Sequence, residues 1–299
     1  MTLPAPFIAH AFLHACALDV AVRKPGNVSQ GSAGHRMQAE QFLRSAEVSA
    51  PALTLSGASV GQRIEAAMRA TWAAVGCNTN LGIVLLCAPL AVAAERLLQQ
   101  GQPLLAETLH TELQAVLQAL AVADAAAAFR AIAAVQPGGL GQADAQDVRE
   151  APTVTLREAM ALAAERDRIA LQYTEGYAEL FELGLPCLID DIDNPEAGRL
   201  RRAVQLCYLQ WLRSAPDTHI ARKDGLATAQ SVQRMAQQWW NTLLHRGQPM
   251  PGPEHDACLA AEWAEWDDTL KQQGLNPGTC ADLTVASAFV AGLLSRTPP

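Results

Sequence analysis

The chain reads as all-α: a single compact multi-helix domain over residues 1–299, with polar loops at helix ends gathering into a nucleotide cleft. Three observations predict this. Half of the 299 residues are apolar and only 5% aromatic, and alanine runs such as 125–128 keep the β-branched share low, which is helical composition. Apolar residues recur at three-to-four spacing, as in Ile64, Met68, Trp72 and Val75. Start and stop chemistry punctuates those stripes, with Ser, Thr, Asp or Asn before them and Gly or Pro after. A chain of this length buries a substantial core.

Pro6–Val22 forms the first helix and ends where Lys24-Pro25-Gly26 imposes a turned or extended backbone. His10 and His14 lie one turn apart, but no acidic or cysteine ligand accompanies them and they read as ordinary helix histidines. From Lys24 to Met37 the loop K-P-G-N-V-S-Q-G-S-A-G-H-R-M carries three glycines, which let backbone N–H groups approach a ligand closely. The stretch 65–86 is the centre of the chain. A helix stops at Gly76, Asn78 or Thr79 caps the next, and the apolar run Ile83–Leu86 enters a core. The polar turn 76–82 is thus pinned between two buried helices, with free N–H groups that favour anions.

Helix continues over Ala88–Gln100 and breaks at Gly101-Gln102-Pro103; Glu107–Val135 is alanine-rich helix in one or two pieces. The polar, glycine-rich segment 137–152 is where the domain would subdivide. Thr155 and Glu158 form a capping box for a helix running to Leu183, stopped by Gly184 and Pro186. Asp190-Asp191-Ile192-Asp193 precedes Asn194-Pro195, an N-cap with proline in the first turn, and that helix runs to Ser214. The loop D-T-H-I-A-R-K-D-G at 217–225 packs two acids, two bases and a histidine together, a density typical of binding loops. Helices 226–245 and 254–273 follow, and Asn276-Pro277-Gly278-Thr279 leads into a closing helix with Thr279 and Asp282 in its capping pattern.

The formal charge of −8 offers no basic face, so neither nucleic acid nor an anionic membrane is an expected partner. Seven scattered cysteines without a C-x-x-C pair read as reduced thiols in a cytoplasmic protein. The first helix is interrupted by His10, His14 and Asp19 and reads as neither signal peptide nor membrane span. Homo-oligomerisation is left open.

Taken together, K-P-G-N-V with G-H-R-M, the E-x-x-M-x-x-T run ending in G-C-N-T-N-L-G, D-T-H-I-A-R-K-D-G and N-P-G-T-C-A-D-L resemble the triphosphoribosyl-dephospho-CoA synthase family, in the family's order and from both ends of the chain. The resemblance implies an all-helical transferase that moves the 5-triphosphoribosyl group of ATP to the 2′-hydroxyl of dephospho-CoA and releases adenine. The matching positions are Lys24, Pro25, Gly26, His35, Glu65, Asn78, Thr79, Asp217, Arg222, Gly225, Pro277, Gly278 and Asp282. Asn80 and Leu81 stand where lyase-type members carry histidine and lysine, Arg36 where they carry an acid, and Thr174-Glu175-Gly176-Tyr177 where they carry R-G-E-A. The N-T-N-L-G form resembles a branch associated with tetrahydromethanopterin-dependent one-carbon metabolism.

Breaking an N-glycosidic bond of ATP develops oxocarbenium character, calls for a carboxylate at the attacking hydroxyl and needs the triphosphate held by cations and Mg²⁺. Asp217, Glu65 and Glu175 are the expected catalytic carboxylates. Lys24, Arg222 and Lys223 are expected on phosphate, with Gly26, His35, Asn78, Thr79, Asn80 and Gly278 around the nucleotide. Asp217, Asp224 and Glu65 can offer Mg²⁺ hard oxygen ligands. Two other readings stand beside this one: a related ribosyl transferase for a methanopterin-type or other cofactor precursor, and a non-catalytic nucleotide-binding protein.

Overall fold

The computed structural model describes residues 4–35, 37–135, 145–192, 197–246, 253 and 257–295. Among them no strand occurs, and the chain runs α1 (Pro4–Ala21), α2 (Ala39–Leu53), α3 (Val60–Val75), α4 (Leu81–Gln99), α5 (Ala106–Gln118), α6 (Val122–Val135), α7 (Leu156–Ala161), α8 (Arg168–Thr174), a short π turn (Leu180–Gly184) and 3₁₀ turn (Leu185–Cys187), α9 (Ala197–Ser214), α10 (Thr218–Asp224), α11 (Leu226–His245), α12 (Ala257–Gln272) and α13 (Gly278–Leu294). One continuous apolar core extends from Ile8 in α1 to Leu293 in α13.

Two helices carry the centre. α4 and α13 are apolar on nearly every face, and nearly all their side chains are buried, as expected of helices surrounded by protein. By length and composition α4 could cross a membrane, as could α1, yet α1, α3, α5 and α13 cover α4 here. Phe12 of α1 meets Phe289 of α13 edge to face at 6.1 Å. Pro89 sits inside α4 and has no N–H for the carbonyl of Leu85, four residues back. The hydroxyl of Tyr173 donates to that carbonyl at 2.6 Å, and Tyr177 donates to the Leu86 carbonyl at 3.1 Å. The proline that weakens the ladder is thus what ties α8 and the turn after it to α4.

Caps follow the sequence in places and depart from it in others. Ser59 and Thr155 head α3 and α7 with reciprocal capping boxes, and Gly76 ends α3 in the left-handed conformation. The helix read as running from 155 to 183 is instead broken twice. Asp167 accepts from Ile169 N and Ala170 N and starts α8 afresh, and Gly176 and Tyr177 both take positive φ. The segment read as a loop at 217–225 is the short helix α10, capped by Asp217. The expected N-cap at Asn194-Pro195, the first half of the 137–152 linker and Arg36 lie outside the described residues.

The glycine loop after α1 is anchored from the far end of the chain. Asp267 of α12, fully buried, accepts from Gly26 N at 2.9 Å, Ser32 Oγ at 2.6 Å and Lys271 Nζ at 2.9 Å. Tyr208 donates to the Pro25 carbonyl at 2.7 Å. At Gly26 φ is +79°, and a Cβ would lie 2.8 Å from Pro277 Cδ, so only glycine fits. This packing holds Asn27 beside Asn276, with 3.1 Å between Nδ2 and Oδ1.

Candidate active site

A cavity of about 730 Å³ opens among these helix ends. All four polar segments reach it: Asn27 and Met37 from the glycine loop, Asn78 to Gly82 at the head of α4, Pro216, Thr218, His219 and Arg222 around α10, and Asn276, Gly278, Thr279 and Asp282 at the head of α13. α1 adds Asp19 and the start of α8 adds Asp167, while α6 and α7 contribute a mostly apolar lining that includes Phe129, Ile132, Leu156 and Met160. A pocket with an apolar wall and a few convergent polar groups is the usual form of a small-molecule site.

The buried charge at its inner end comes from α1. Asp19 is 5% exposed and Lys24 is wholly buried, with Nζ 3.0 Å from Asp19 Oδ1. That ammonium also donates to the backbone carbonyls of Asp19 and, at 3.4 Å, Val22, so its hydrogen-bonding capacity is used within the protein. Burial raises the Asp19 carboxyl above its ordinary range, and Lys24 opposes the shift. Lys24 therefore holds a cavity carboxylate and does not line the cavity, contrary to the expectation that it grips phosphate.

Arg222 lines the cavity and pairs with Asp167 at 2.8 Å. His219 lines it too. Burial keeps that imidazole below its usual range, with Arg222, Lys223 and His35 adding to the shift and Asp217 opposing it. Gly278 makes room for the ring, since a Cβ there would lie 2.7 Å from His219 Nδ1. Asn78 Oδ1 accepts from Leu81 N at 3.1 Å and Thr79 donates to Ser45 Oγ at 2.6 Å. The orientation of Asn80 is fixed by Ser49. Ser49 Oγ donates to the Ala46 carbonyl, so it must accept from Asn80 Nδ2 at 3.3 Å, which turns Oδ1 away. That oxygen is buried and makes no hydrogen bond, as is Asn27 Oδ1.

Several expected site residues lie elsewhere. Glu65 sits on the outer side of α3 in a bidentate pair with Arg130, both bonds 2.7 Å, which holds its carboxyl below the ordinary range. Glu175, Asp224 and Lys223 are exposed and do not line the cavity. Lys223 reaches the Gly274 carbonyl at 3.4 Å. His35, at φ 53°, donates through Nε2 to the Gly26 carbonyl at 2.7 Å and braces the glycine loop. The carboxylates expected to hold Mg²⁺, Asp217, Asp224 and Glu65, do not converge. Among the described residues no group of three or more His, Cys, Asp and Glu is arranged to hold a metal ion.

Asp217 is the sharpest departure. It is 1% exposed, and its two oxygens accept from Ile220 N at 3.0 Å and Cys280 N at 2.8 Å. One carboxylate thus caps α10 and α13 together, where the sequence suggested Thr279 and Asp282 for the cap of α13. Thr279 instead accepts from the hydroxyl of Thr218 at 3.0 Å. Asp217→Ala strands two buried N–H groups and is expected to lower stability by roughly 1–3 kcal/mol. An unaltered urea midpoint in that variant would show that the double cap contributes nothing.

Sequence reasoning passed over Asp19, Asp167 and His219 as site residues. Asp19 left a signal: it is the only carboxylate in the first helix, five residues before one of only three lysines in the chain.

The sequence model of the family described as ATP:dephospho-CoA triphosphoribosyl transferase matches residues 5–298. A crystal structure named as a candidate triphosphoribosyl-dephospho-CoA synthase from Archaeoglobus fulgidus shares the fold, at TM-score 0.62 and 22% identity over 85% of this chain and 98% of that one. No curated protein matches the sequence.

Proposed function

The chain belongs to the ATP:dephospho-CoA triphosphoribosyl transferase family and transfers the triphosphoribosyl group of ATP to dephospho-CoA with release of adenine; from that premise we propose that the cavity between α1, α4, α10 and α13 is where the transfer occurs. The observation that carries this is Asp19: a buried carboxyl, paired with a buried lysine, in the cavity where all four polar segments meet. A structural ion pair needs no such cavity beside it.

In this reading the acceptor's 2′-hydroxyl attacks C1′ of the ATP ribose while the bond from C1′ to N9 of adenine lengthens. Asp19 takes the hydroxyl proton, and its negative charge also favours the oxocarbenium character that develops at C1′. Arg222, with Arg166 exposed in the same lining, holds the triphosphate, for which a planar guanidinium is suited. The apolar surface of α6 and α7 receives the flat bases. His219, kept neutral by burial, offers a hydrogen bond without adding charge.

The described residues do not form a metal cage, so Mg²⁺ enters as the MgATP complex, with phosphate oxygens and water as its main ligands, as that ion prefers. Thiols such as Cys16 and Cys87 are buried and pushed up by burial, which suits a reducing compartment, and we place the enzyme in the cytoplasm.

Free adenine is expected only when ATP, Mg²⁺ and dephospho-CoA are all present, with the acceptor gaining the mass of a triphosphoribosyl group. Arg222→Ala is expected to weaken ATP binding by roughly 1.5–3 kcal/mol, the range for a hydrogen bond to a charged group, with Arg222→Lys between the two. Equal ATP affinity across the three proteins, by calorimetry, would remove Arg222 and this cavity from the triphosphate site.

A further inference from the structure

A second carboxyl lines the same cavity as Asp19 and caps no helix. Asp282, in the first turns of α13, lines the cavity. Burial and the charges of Asp19, Asp217 and Asp167 act on it together to raise it well above the carboxylate range, with Arg222 opposing, and no hydrogen bond enters among those causes. Cys16, Cys87 and Cys280, the thiols that feel its charge, are themselves raised by burial. Space for the carboxyl is reserved by Gly82 at the head of α4: a Cβ there would lie 2.0 Å from Asp282 Oδ2. Asp217 has both oxygens on backbone N–H groups and Asp19 has Lys24, so Asp282 is the carboxyl left to stay neutral.

Two further groups say what sits beside it. Asn27 and Asn80, only 5% and 4% exposed, line the cavity, and the Oδ1 atom of each is buried without a hydrogen-bond partner. Buried carbonyl oxygens left unmatched call for N–H groups from a ligand, and an adenine carries an exocyclic amino group.

We propose that Asp282 is the proton donor to the departing adenine, paired with Asp19 as the proton acceptor for the attacking hydroxyl. As the C1′–N9 bond breaks, its electron pair stays with the base, and Asp282 gives its proton to a ring nitrogen so that neutral adenine leaves. As the bond from the acceptor's O2′ to C1′ forms, the hydroxyl proton passes to Asp19. Transfer of that proton back to Asp282 restores both carboxyls, so the net movement is one proton from acceptor hydroxyl to adenine. Two carboxyl groups with environments that push them apart is how acid and base are separated at one pH. The assignment rests on reading this cavity as the transfer site.

The test uses ATP and an ATP carrying a methyl group at N7 of the base, whose leaving group is already cationic and departs without a proton. Asp282→Asn is expected to lose on the order of 10²–10⁴-fold with ATP and to come within roughly tenfold of wild type with the methylated substrate. That rescue also proves that the variant is folded. Gly82→Ala, which displaces the carboxyl without removing it, should show the same pattern. The double variant Asp19→Asn/Lys24→Met should fail with both substrates. Equal loss on both substrates, or no loss on either, in Asp282→Asn while the Asp19 variant fails would overturn the donor role alone. Normal turnover in both would overturn the site reading itself.

Discussion

Asp19→Asn/Lys24→Met is expected to release adenine on the order of 10²–10⁴-fold more slowly than wild type, the scale of losing a general base, while ATP binding changes little. The pair is replaced together for a physical reason. Asp19→Asn alone would leave the wholly buried Lys24 ammonium without its counter-charge, and a slow enzyme could then be merely an unstable one. Methionine keeps the length and packing of the lysine stem, so the double variant removes both charges together with the ammonium's hydrogen bonds to the Asp19 and Val22 carbonyls. In the wild type the acid limb of kcat/KM should fall above the ordinary carboxylate range, because burial raises Asp19 and the base must be unprotonated to act. The limb should vanish from the residual activity of the double variant. ATP affinity by calorimetry separates this from a binding defect: interactions made mainly in the transition state alter turnover and not ground-state binding. A folded double variant with near-wild-type turnover would take Asp19 out of the chemistry.

The sequence made the helices and the meeting of the loops legible, because both follow from local rules. Capping residues, a left-handed glycine and stripes at helical spacing are written within a few residues. Polar loops at helix ends also have few places to go but a common cleft. Which side chains point into that cleft is a different matter, decided by packing across distances of hundreds of residues. Glu65 follows the fully buried Ile64, and one step around a helix is enough to turn it to the outside and onto Arg130. Asp217 looked free in a polar loop because its second partner, Cys280 N, is 63 residues away. The rarity of lysine did mark Lys24, but for the opposite reason to phosphate binding. A lysine spared from the surface was available to be buried, and its neighbour in the site was an acid hidden in an apolar helix. Asn78, Thr79, Asn80, Arg222 and Gly278 line the cavity because they stand at helix termini, where backbone direction alone fixes which way the residue faces.

Lys24→Met alone is expected to lower unfolding stability by roughly 3–5 kcal/mol, the cost of leaving a buried partner charge uncompensated, where a surface lysine would cost almost nothing. The dependence on pH identifies the cause. Without the ammonium, the folded-state value of Asp19 rises further above its unfolded value, so the folded protein binds the proton more tightly than the unfolded chain. A carboxyl raised in this way weakens folding at pH above its folded value, and the loss fades as pH falls toward the unfolded value. The gap between wild type and Lys24→Met should therefore be widest near neutral pH and narrowest in acid. Adding Asp19→Asn to the variant should recover most of the loss at neutral pH, since a neutral amide needs no counter-charge; the resulting coupling is the non-additivity expected of residues in contact. Urea unfolding of the four proteins of this cycle at neutral and acid pH reads both effects. A gap of constant size across pH, or a double variant no more stable than Lys24→Met, would mean that Lys24 stabilises the fold through its hydrogen bonds to the Asp19 and Val22 carbonyls and not by compensating the Asp19 charge.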